Sequence, residues 1–86
     1  MEHIVVSIQP FDYTQTICIY DNGECKKATQ VNMDELADAI VNMVNSYGIH
    51  NIDIRGEKTY CEKVIQDIKE KNTILYNNVD LDIKLY

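Results

Sequence analysis

The chain has 86 residues, with 8 Lys and Arg against 14 Asp and Glu, a formal net charge of −6 and a pI near 4.6. That length accommodates one domain, residues 1–86, and a composition 45% hydrophobic and 26% charged with three Gly and one Pro excludes disordered, collagen-like and low-complexity classes. No apolar run approaches the roughly 20 residues a membrane span needs, and the negative balance opposes binding to nucleic acid or an anionic membrane.

Residues 4–9 predict a strand that stops at Pro10, with Ile4, Val6 and Ile8 on one face and Val5, Ser7 and Gln9 on the other. Residues 10–15 read as a loop and 16–20 as a second strand, where Ile17 and Ile19 alternate with Thr16, Cys18 and Tyr20. Asn22-Gly23 is the strongest short hairpin signal, because a type I′ turn needs positive φ twice. The third strand, 24–29, carries Lys26 and Lys27, the charges that protect an edge. This hairpin places Tyr20 opposite Cys25, with Cys18 on the same side.

Asn32 with Glu35 forms a capping-box pattern, and Val31 with Leu36 a hydrophobic staple, at the start of a first helix. Its buried stripe is Met33, Leu36, Ala37, Ile40, Val44 and Tyr47, and Gly48 supplies the C-terminal cap. A strand at 50–55 directs Ile52 and Ile54 one way and Asp53 and Arg55 the other, and Gly56 ends it. The second helix begins at Thr59, with Glu62 completing another capping box. It buries Cys61, Val64, Ile65 and Ile68, and pairs Lys63 with Asp67 and Asp67 with Lys71 along its outer side. Residues 73–78 suggest a short strand before an Asn-Asn turn, and 79–86 a last strand in which Leu81, Ile83 and Leu85 alternate with Asp82, Lys84 and Tyr86.

Three hairpin-linked strands followed by two crossover helices predict a two-layer α/β domain with a mixed five-stranded sheet. Right-handed crossovers running in the same direction put both helices on one face. The strands alternate instead of running continuously apolar, which fits a sheet with one uncovered side. The element order resembles the core of ribonuclease H-like and actin-like domains, which implies a spatial order 3-2-1-4-5; a ferredoxin-like arrangement is the alternative. Nucleases of that superfamily place a metal-holding carboxylate on the first strand, where this chain has Ser7 and Gln9 and no acid. The phosphate-binding glycine turns of the actin-like group are also missing.

The candidate chemistry is sparse. The three cysteines are odd in number and at no metal-ligand spacing, which fits a reducing, cytoplasmic setting. Cys61 reads as core, and Cys18 and Cys25 as reduced neighbours. His3 and His50 read as surface residues, and no zinc site or other cofactor is expected. Ser7 and Ser46 have no nucleophile-activating partners, and the common nucleotide and zinc-protease motifs are absent. Asp53 and Asp82 on neighbouring strands could hold a cation, which defines the enzymatic alternative, a metal-dependent nuclease. Arg55 and Lys84 on the same face favour ion pairs instead.

Two surfaces remain. Residues 28–54 contain no Lys or Arg, and the first helix turns Asp34, Glu35, Asp38, Asn42 and Asn45 outward, a face suited to a basic protein. The uncovered sheet face would show Val5, Ser7, Gln9, Thr16, Cys18, Tyr20, Cys25 and Tyr86, a mix that buries well against another protein or a second copy. The expectation is a small non-enzymatic interaction module, or a structural subunit of a larger assembly. Its stand-alone, Asn-, Ile- and Tyr-rich character is of the kind that viruses of bacteria and mobile elements encode as inhibitors of host or defence proteins.

Overall fold

Alternating β-branched residues and one tight turn build the first half of the sheet. β1 (Glu2–Ser7), β2 (Thr14–Asp21) and β3 (Glu24–Asn32) form an antiparallel meander. Asn22 and Gly23 turn the β2–β3 hairpin with φ of 53° and 78°, the two positive values a type I′ turn demands. The hairpin is not flat. The ladder shifts register between Ile19 and Tyr20, which stand opposite Lys27 and Cys25, leaving Lys26 as the extra residue. Such a bulge on an edge strand twists it away from further pairing. The computed structural model describes residues 1–76 and 79–86, with the backbone alone at 75 and 76.

A 3₁₀ turn (Met33–Glu35) leads into α1 (Leu36–Tyr47), then β4 (Asn51–Arg55), α2 (Lys58–Tyr76) and β5 (Asp82–Leu85). β4 joins β1 in parallel and β5 joins β4 in parallel, giving the order β3-β2-β1-β4-β5. This is the anticipated mixed sheet, and it removes the ferredoxin-like alternative. Among the described residues no helix is long and apolar enough to cross a membrane.

The core lies between the sheet and both helices. Ile4, Val6, Ile17, Ile19, Ile52 and Ile54 share one side of the strands and pack with Leu36, Ile40, Val41 and Val44 of α1 and Cys61, Val64 and Ile68 of α2. One cluster takes its strand residues from a single parity and includes both helices, so both helices cover the same side. Burying each such aliphatic side chain is worth about 1.5–3 kcal/mol. Gly56, with φ of 139°, ends β4 where a Cβ would meet the Ile8 carbonyl oxygen at 3.1 Å and Cys61 Sγ at 3.3 Å. A side chain there would be strained by both conformation and space.

Several boundaries and caps differ from the sequence reading. β1 starts at Glu2, so the first strand does contain an acid, at its opening residue. β3 runs on to Asn32 because Thr14 pairs with it. Asn32 therefore stays extended and makes no side-chain cap, and the expected capping box does not form. On α2 the N-terminal donors go to Glu57 rather than Thr59: Tyr60 N–H donates to Glu57 Oε2 at 3.2 Å. α2 continues to Tyr76, so 73–76 are helical rather than a strand. The predicted Asn-Asn turn at 77–78 lies outside the described residues. Tyr47 is exposed, and Val41 and Met43 are buried in addition to the predicted stripe. Lys71 reaches across to Asp38 of α1 at 3.3 Å, while Lys58–Glu62 at 3.9 Å supplies an ion pair along α2.

Candidate interaction surface

Strand register sorts the side chains opposite the helices into rows. Thr16 stands opposite Gln30, and Ser7 opposite Arg55. In the next row Ala28, Cys18, Val5, Asp53 and Lys84 follow one another across all five strands. Tyr20 lies between His3 and Cys25. The part of these rows formed by Ser7 and Val5, by Thr16, Cys18 and Tyr20, and by Gln30 and Arg55 floors an open hollow of about 700 Å³, with Tyr13 and Asp12 at its loop end. Ser7, Thr16, Gln30, Cys25 and Arg55 are exposed, and Cys18 and Tyr20 are half-buried. Tyr86 is exposed, with the Arg55 guanidinium 5.4 Å from its ring centre, within cation–π range.

Two members of the predicted face are placed differently. Val5 is only 9% exposed. It belongs to the central strand, so its neighbours Cys18 and Asp53 wall it in, although it lies outside the helix-side cluster. Gln9 is exposed but sits past the end of β1, in a turn where its N–H donates to Gln15 Oε1 at 2.8 Å.

The carboxylates of this face do not pair with each other. Asp53 stands opposite Lys84, whereas Asp82 stands opposite Asn51. Asp53, 7% exposed, has its Oδ2 3.3 Å from His3 Nδ1. The contact is at ion-pair distance but lacks hydrogen-bond alignment. His3 is thus a half-buried partner of Asp53 rather than a plain surface residue. His50 is exposed, and its Nδ1 meets the Asp80 carbonyl oxygen at 2.8 Å where β5 approaches. Among the described residues no three His, Cys, Asp or Glu side chains gather as a metal site.

The thiols are unbridged. Burial and, secondarily, the Cys25 thiol beside it push the Cys18 thiol up, and burial pushes Cys61 up. A raised thiol is a poor nucleophile at neutral pH. Cys61, fully buried, packs in the core as expected.

The acidic helix face lies on the other side of the sheet and is partly neutralised. Asp34 accepts from the Tyr13 hydroxyl at 3.2 Å, which holds the phenol above its ordinary value. Asp38 pairs with Lys71, and Asn45 folds back to donate to the Val41 carbonyl oxygen at 3.1 Å. Glu35 stays exposed. Tyr13 borders both surfaces, because it also lines a second hollow of about 410 Å³ between the N-terminal ends of the helices, with Pro10, Met33, Ala37 and Tyr60.

One functional-looking group escaped the sequence reading. Gln15, 1% exposed, donates from Nε2 to the carbonyl oxygens of Gln9 at 2.7 Å and Asp12 at 2.8 Å, and accepts from Gln9 N–H. A buried amide is tolerable only when bonded in this way. It clamps a turn whose tip, Phe11, is 93% exposed. The signal was present: Gln15 continues the inward alternation of Ile17 and Ile19. No protein-family model matches the chain, and no curated protein matches it.

Proposed function

We propose that this chain is a small non-enzymatic protein-interaction module that occludes or bridges a protein partner through the uncovered face of its sheet. The observation that carries this reading is the row structure itself. Small polar side chains, the Cys18 thiol and Tyr20 floor a broad hollow on the side of the sheet opposite both helices. Tyr is enriched where proteins meet, and short polar side chains beside it supply adaptable hydrogen bonds. The separated carboxylates, with Asp53 set between His3 and Lys84, favour this over the nuclease alternative. The strand order supports a resemblance to a minimal ribonuclease H-like or actin-like core, used here as a scaffold. The acidic side, reduced to Glu35 and the tethered Asp34 and Asp38, serves as a secondary contact for a basic partner.

The test places a photo-crosslinking residue at Thr16, on the face, or at Lys69, on the outer side of α2. The expected outcome is protein adducts from position 16 that Tyr20→Glu abolishes while the thermal midpoint stays within a few degrees. Adducts from position 69 alone, or adducts indifferent to Tyr20→Glu, would overturn the reading.

A further inference from the structure

We infer that the occupant of the uncovered sheet face is a second copy of this chain, docked face to face about a twofold axis. This rests on the docking role just proposed and names the partner. The first argument is charge. On the strands' open side Arg55 and Lys84 offset Asp53 and Asp82, so that with Asp12 at the loop end this side carries only −1 of the molecule's −6. The acids that set the net charge lie elsewhere, on α1, at the turns and at the strand ends. Two copies meeting through any of those regions press like charges together, whereas the sheet faces meet with little of that cost. A basic partner would instead be drawn to the acidic α1 end of the helix side.

The second argument is size. The molecule measures 31 × 30 × 20 Å, the short dimension fitting one sheet plus one helical layer. The sheet side therefore has an outline on the order of 900 Å², against about 800 Å² per partner in a standard stable interface. Two sheets packed at about −30° interleave the ridges of one with the hollow of the other, and an isologous contact uses the same rows twice. Such a dimer buries Tyr20, Thr16 and Cys18 and leaves both helical layers outward.

The experiment is analytical ultracentrifugation of the full chain across concentration and salt, paired with maleimide labelling of Cys18 and Cys25. We expect a reversible dimer whose affinity rises several-fold between about 10 mM and about 150 mM salt, as the screening length shrinks from about 30 Å to about 8 Å and the repulsion between two −6 bodies fades. Labelling of Cys18 should slow as the dimer forms. Tyr20→Glu and, independently, Thr16→Arg should each weaken the dimer tenfold or more with an unchanged circular dichroism spectrum. A monomer at every concentration and salt overturns the second copy while leaving the docking face to the crosslinking test. A dimer indifferent to both substitutions overturns the docking face as well. A dimer that weakens with added salt overturns the charge argument and this inference with it.

Discussion

Glu57 closes the open end of α2 with its side chain, and the backbone N–H groups of Thr59 and Tyr60 hold its carboxyl below the usual carboxylate range. A depressed folded value adds stability above the ordinary value of 4.5 and loses it as pH falls through the folded value. Glu57→Gln should therefore lower the thermal midpoint at neutral pH and have no effect in acid below the folded value. Thermal denaturation of both proteins across pH checks this, and a constant difference would show that the carboxylate charge is not what caps the helix. Thr59 with Glu62 reads equally well as a cap in sequence. Which oxygen reaches the free donors depends on where the backbone leaves β4, and that is a tertiary fact. Asn32 illustrates the same limit: pairing with Thr14 extends β3 through it and denies it the cap its residue type favours. Gln15 was legible by parity alone, but a polar residue next to a presumed loop does not advertise that it faces inward.

At the scale of the element, α1 was legible because apolar residues recur at helical spacing, and Leu36, Ile40 and Val44 are buried as that spacing requires. The period identifies one face only. α1 also packs against α2 and β3, and Val41 and Met43, on opposite flanks of the stripe, are buried beyond it, while Tyr47, at the last turn, comes out beside Lys27. Ile40 has no exposure and lies in the middle of this packing. Ile40→Asp should unfold the domain, since an unpaired buried charge costs several kcal/mol, about the whole stability of a small domain. Loss of the cooperative thermal transition checks this; a folded, cooperative variant would mean that the helix can roll its stripe away from the sheet. The strands on the open side were easier to place than to weigh. Alternation told which way Val5 and Asp53 point, but their burial depends on neighbours from strands distant in sequence.

Across the whole molecule, order of elements fixed the sheet because hairpins and same-direction crossovers leave few arrangements. Partner choice was not legible, since it depends on how charge sums over a surface assembled from five strands. The same assembly predicts uneven stability. β1 is flanked by β2 and β4, whereas β5 has four residues and pairs with β4 at the sheet's edge. Hydrogen exchange read by mass spectrometry should open β5 first and β1 last; simultaneous exchange would mean that the domain opens only as a unit. The Gln15 clamp carries a different consequence. Its three bonds grip the main chain of Gln9 and Asp12, and no side chain of the tip takes part. The identity of Phe11 is thus uncoupled from the clamp that shapes the bend, so this corner is a mount on which other side chains could be displayed without rebuilding the protein beneath.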